Sequence, residues 1–278
     1  MSAESEGRQE AARFRTEHHL GSAPLGDLVM LIEQSVGADV AVLDTEQDQH
    51  GMTMRRGDSG SVFIGVTRTP RVMRQRSTLA HELAHVVFGD WADEPLIDSA
   101  NPVESRANAF ARHLLIPQQG VEETIESEYV GHGRAMLSAV VQRFLVSPSI
   151  AAIALEQGGH IDRATKEQWK SVPTPKLAAE FGWLDRYRSL SEASNRRRAP
   201  QRLLARAISG WVQNVVPIQT VATLWGIDAA VAEQELRAAG LRQVDRWESP
   251  NWAGVAELPE VEIDLSEFDA DMRAGENE

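Results

Sequence analysis

The stretch "RQRSTLAHELAHVVFGDW", residues 74–91, sets two histidines four apart with a glutamate directly after the first. At about 3.6 residues per turn, His81 and His85 lie about 40° apart around a helix and about 6 Å along it, so both imidazoles can converge on one ion. Glu82 is offset by about 100° from His81, which lets its carboxylate miss the ion and reach a water held beside it, the arrangement a hydrolytic zinc centre needs. The competing reading is an ordinary helix that happens to carry three polar residues. Leu79, Ala80, Leu83, Ala84, Val86 and Val87 surround the motif with small and apolar side chains. The helix is therefore expected to be buried, and buried histidines need partners.

A catalytic metal takes a third protein ligand and keeps one position open. Downstream oxygen and nitrogen donors are Asp90, Asp93, Glu94, Asp98, Glu104 and His113. Glu104 is the best choice, one turn into a helix that starts at Asn101-Pro102 and whose inward face continues through Asn108 and Ala111. His113, nine residues on, falls on the opposite face. A second role for Glu104 competes: with Asn101 as cap it occupies the third helical position, where a glutamate completes a capping box.

Outward from these helices, the opening reads as two helices with a turn at Gly21 to Pro24, then a strand at Asp39 to Leu43. "HGMTMRR" and "SVFIGVT" follow as strands around "GDSG", a hairpin signal. "SVFIGVT" is either an edge for an extended peptide or an ordinary core strand. Thr69 and Pro70 suit the start of the histidine helix and Gly89 its end. Met136 to Ile161 reads as two short helices joined at "VSPS", a helix-turn-helix-like unit. "VATLWGIDAAVAEQELRAAGL" echoes it at an offset that changes from 80 to 81 residues, a weak internal repeat.

The expected class is α+β: a first domain over residues 1–162, with a small sheet, a central histidine helix and the helix-turn-helix-like segment near 136–161. A mainly helical region, 163–248, and an acidic tail, 249–278, complete the chain. Six of the seven tryptophans fall after residue 160, which suggests a second core there.

Cysteine is absent, so disulfides, thiol nucleophiles and thiolate-ligated zinc are excluded. The polar opening and the lack of a long apolar run lead us to expect a cytoplasmic protein with no membrane partner. Net charge is −13, but the segment from Glu257 carries nine acids against Arg273 alone. The approach to the histidine helix, residues 55–76, is locally basic through Arg55, Arg56, Arg68, Arg71, Arg74 and Arg76. The second helix of the later unit, "DAAVAEQELRAA", has three acids and one arginine, the wrong balance for phosphate, so direct nucleic-acid binding is not expected. The tail alternates acids with Leu258, Val261, Ile263, Leu265 and Phe268. It either lies along the basic approach or is a solvated appendage.

"TLAHELAHVVFGD" followed by "ESRANAFARHLLIP" resembles the two-part signature of the ImmA/IrrE family of zinc metallopeptidases, matching at Glu104, Ala107, Asn108, Phe110, Ala111, Leu114, Leu115 and Pro117. The likeness covers roughly residues 10–160. It implies that residues 1–162 form a zincin-like metallopeptidase domain, an endopeptidase with Zn2+ on His81, His85 and Glu104 and with Glu82 as general base, cutting a helix-turn-helix repressor to release stress-response or mobile-element genes. Asn108, one turn beyond Glu104, either holds the outer nitrogen of a zinc histidine or packs between helices. The alternative function is a non-proteolytic regulator that grips a transcription factor around a structural or vestigial metal. The C-terminal half matches no arrangement associated with the family, and the resemblance leaves its role open.

Overall fold

The computed structural model describes residues 2–45, 51–57, 60–91, 101–126 and 132–244. The expectations placed on Asp58 and Ser59 of the hairpin turn, on Asp93, Glu94 and Asp98, and on the acidic tail lie outside those residues. The chain is mixed α+β, mostly helical, with one three-stranded sheet among the described residues.

Two helices, α1 (Ala3–Glu17) and α2 (Leu28–Ser35), precede strands β1 (Asp39–Leu43), β2 (Gly51–Arg55) and β3 (Val62–Thr67). The order is β1-β3-β2, with β1 parallel and β2 antiparallel to β3, so the expected hairpin is present. Of the two readings of "SVFIGVT", the core strand is the one present: β3 is central in the sheet. A strand between two others has no free hydrogen-bonding groups for a third, and the edges are β1 and β2.

Alternation places Val40, Val42, Ile64 and Val66 on the covered face, where they join Leu79 and Leu83 of α3 (Val72–Phe88) in one core. This helix starts two residues later than expected. Thr69 caps nothing in it; its hydroxyl accepts from the Arg71 N–H in a local turn, and Pro70 lies before the helix. Gly89 ends it in the left-handed region at φ 70°, as its lack of a Cβ permits.

Helix α4 (Pro102–Leu115) starts as its sequence indicates, the Asn101 side chain accepting from the Val103 N–H with Pro102 in the first turn. It packs on α3 and along α1. The approach to α1 is close at Gly7, where a Cβ would come 2.5 Å from the Arg106 carbonyl oxygen. Ala107, Phe110, Leu114 and Leu115 turn into the core.

Helices α5 (Gln118–Glu126), α6 (Arg134–Phe144) and α7 (Pro148–Gln157) follow, with Ser147 capping α7 as expected. Among the described residues no single helix is long and apolar enough to cross a membrane. The pair α6 and α7, which together are, bend by 111° and bury Val140, Val141, Phe144, Ala151 and Leu155 in the core.

The apolar cores do not divide at residue 162. Trp169 of α8 (Arg163–Lys170), Leu177 of α9 (Thr174–Glu180) and Trp183 before α10 (Leu184–Ser194) belong to the first core, and the Trp183 Nε1–H donates to Ser138 Oγ. A second, small core of Ala207, Trp211, Val221 and Leu236 forms within α11 (Gln201–Val212), α12 (Ile218–Trp225) and α13 (Ala229–Ala238). Tryptophan position along the chain reports that side chains are buried, not which core buries them. The segment before α11 returns to the sheet. Arg198 and Val42 exchange both backbone hydrogen bonds, at 2.8 and 3.0 Å, which adds a bridge to the outer edge of β1.

The two short helical pairs correspond at a constant offset of 81 residues rather than a changing one. Leu145 and Gly226 are both left-handed at the first helix end, and Ser147 and Asp228 cap the second helix. His160 and Leu241 donate to the carbonyls of Leu155 and Leu236, each at 2.9 Å. The true counterpart of Val221 is Val140, both fully buried.

Candidate metal centre

Helices α3 and α4 place the expected donors together. His81 Nε2 lies 3.1 Å from Glu104 Oε2 and 3.1 Å from His85 Nε2, and His85 Nε2 lies 3.6 Å from Glu104 Oε1. One donor atom from each residue falls within 4.8 Å of the others. The side chains keep between 14 and 21% of their accessibility, so the cluster is sheltered but still reached by solvent. Glu104 aims its oxygens at the imidazoles, as a ligand would.

The outer ring nitrogens have acceptors. Asn108 Oδ1 stands 3.1 Å from His81 Nδ1, and Asp90 Oδ2 stands 3.3 Å from His85 Nδ1. An acceptor at Nδ1 places the ring proton there and leaves the Nε2 lone pair free for a cation. Asn108 thus sits where one of its two expected roles requires. Asp90 was one of several possible third ligands; its contact is instead with the back of His85. Gly89 explains this, since the left-handed turn returns the chain so that the Asp90 N–H bonds the His85 carbonyl at 2.9 Å. The other Asp90 oxygen accepts from Arg106, whose Nη1 donates to Glu6 at 3.1 Å and whose guanidinium stacks 4.5 Å over the Phe88 ring. His113 lies away from the cluster, paired with Glu4 at 2.8 Å.

Glu82 is 7% exposed and faces β2. Its Oε2 accepts from the Thr53 hydroxyl at 2.7 Å, and Gly51 passes so close that a Cβ there would lie 2.5 Å from Glu82 Oε1. The carboxylate is thereby held between the histidine helix and the edge strand. Sequence reasoning missed Thr53 and Gly51. The basic approach is also altered: Arg76 is buried, donating to the carbonyls of Leu25 and Gly26, and Arg68 pairs with Asp44.

Two imidazole nitrogens and a carboxylate, with polar partners behind both rings, fit a divalent ion of borderline softness and leave room for a further ligand. Fold and site together define a domain of the zincin-like metallopeptidase type. Residues 37–156 match the family model of Peptidase M78, the IrrE N-terminal-like domain, so the resemblance to the ImmA/IrrE family is borne out over that stretch and implies a metallopeptidase-type function. A search of curated proteins returns no match.

Proposed function

We propose that this chain is a zinc-dependent endopeptidase that cleaves a protein in the cytoplasm, a helix-turn-helix repressor, and so relieves repression of stress-response or mobile-element genes. The observation that carries the reading is the convergence of His81, His85 and Glu104 beside a Glu82 held on the edge strand. The repressor as substrate rests on the family resemblance alone.

His81, His85 and Glu104 would hold the ion, and Asn108 and Asp90 fix the two imidazole planes. When bound, zinc supplies Lewis acidity toward a peptide carbonyl and an attacking water. Glu82 accepts the proton of that water and delivers it to the leaving amine. Thr53 steadies the carboxylate on one oxygen. The outer edge of β2 pairs with no other strand among the described residues, which suits it to align an extended substrate.

Glu82→Gln tests the reading. Metal content, measured by elemental analysis, should stay at the wild-type level while cleavage of a repressor encoded beside the gene falls by about 10²-fold or more. Retained cleavage would overturn the general-base role. If wild-type chain captures the repressor and returns it whole, the binding-regulator alternative replaces the peptidase.

A further inference from the structure

The sheet face turned away from α3 is not bare. Ala41, Leu43 and Phe63 form one wall of a groove of about 550 Å³, and Leu203 of α11 with Leu224 of α12 form the other. Met52 extends the apolar floor, since its Cγ would lie 3.2 Å from a Cβ at Gly65 on this face. Met52 and Met54 of β2, on the same sheet face, and Leu203 of α11 keep 38, 52 and 44% of their accessibility, high for large apolar side chains. The rim is basic: Arg197, Arg198, Arg202 and Arg206 line the groove against Asp39. Arg198 is tied to Asp27 and Arg202 to Asp39, whereas Arg206 is exposed and has no polar partner among the described residues.

We propose that this groove is the docking site of the chain's own acidic segment, residues 257–269. An apolar floor with a cationic rim selects an extended ligand that is apolar at alternate positions and acidic between them. Glu260, Glu262 and Asp264 alternate with Val261, Ile263 and Leu265, and no lysine or arginine occurs from 257 to 269.

The reach is sufficient. Val244 is fastened to the far end of α11, its N–H donating to the Val212 carbonyl at 2.7 Å and its own carbonyl accepting from Asn214 at 2.8 Å. Leu203 lies nine residues back along that helix, about 14 Å away. Residues 245–256 can span about 40 Å when extended, so the segment reaches the groove with slack and at high effective concentration. The basic approach at 55–76 is the poorer match. Arg76 is buried there, Arg68 is paired, Arg55 lies 5.4 Å over the Trp91 ring, and the cavity at Arg68, Arg71 and Arg74 is lined by polar side chains apart from Pro70, with no large apolar side chain.

The natural chain has no cysteine, so disulfide trapping has no background. Leu203→Cys combined with Ile263→Cys, in the full chain under mild oxidation, should form an intramolecular disulfide at least about 10-fold faster than Gln119→Cys combined with Ile263→Cys. Gln119 is exposed on α5 and lines a different cavity. The rate should drop several-fold with Arg206→Glu or when salt is raised to about 0.5 M, where charge attraction is screened beyond about 4 Å. Thr223→Cys repeats the measurement from the α12 wall should Leu203→Cys disturb the fold. Equal rates for groove and control pairs would overturn the proposal by showing an unattached tail. Disulfides formed only between molecules would overturn it by placing a second copy in the groove.

Discussion

The Thr53 hydroxyl donates to Glu82 Oε2 at 2.7 Å, closer than to the Glu82 carbonyl at 3.3 Å. An edge-strand residue thus holds the carboxylate that follows the first histidine, 29 positions along the chain. One hydroxyl proton serves one acceptor well, and a hydrogen bond to a charged acceptor contributes about 1.5–3 kcal/mol. Thr53→Val keeps the shape and removes the donor. It should lower kcat by about 10-fold or more with metal content unchanged; an unaltered kcat would show that the carboxylate needs no such support.

Gly51 is expected to be intolerant for a different reason. An added Cβ would meet Glu82 Oε1 at 2.5 Å and Thr78 Cγ2 at 2.6 Å. The β-branched Thr78 has little freedom inside a helix, so the Glu82 carboxylate must yield. Gly51→Ala should reduce cleavage by about 10²-fold, the scale of a misplaced catalytic group, while the thermal midpoint moves by only a few degrees. A large fall in the midpoint would mean that the strand, rather than the carboxylate, gave way.

Behind the second histidine, Asp90 joins His85 Nδ1 to Arg106. Acceptors in this position orient the imidazole, and their loss weakens metal affinity by about 10- to 100-fold. Asp90→Ala should raise the zinc dissociation constant within that range, read by competition with a chelating dye. Arg112→Ala gives the comparison, because Arg112 holds Glu4 away from the cluster and should leave metal binding unchanged.

The ease with which parts of this site are read from sequence follows the range of the contacts involved. His81 and His85 share one helix, so periodicity alone sets their convergence. Glu104 needed a second helix, but its cap and inward apolar face are local signals. Asp90 was within reach of the same reasoning, since a glycine followed by an aspartate at a helix end turns the side chain back on the last turn. Thr53 and Gly51 were not, because strand order decides which strand meets Glu82, and the pattern of "SVFIGVT" does not distinguish a central strand from an edge. Which core receives Trp169 and Trp183 was not legible for a related reason: their burial is written in their chemistry, but their partners lie on elements far away in the chain.

The small core of α11–α13 has four buried apolar residues, and Trp211, 2% exposed, is the largest of them. Replacing a buried tryptophan by alanine costs about 3–5 kcal/mol, a large share of what so few side chains can contribute. Trp211→Ala should therefore open these helices locally while the first core, which carries His81, His85 and Glu104, stays folded. Hydrogen exchange should accelerate across residues 204–238 and remain slow in α3 and α4, with zinc affinity unchanged. Acceleration spread evenly over α3, α4 and α11 would show instead that the two cores unfold as one cooperative unit, coupled through the Val42–Arg198 bridge.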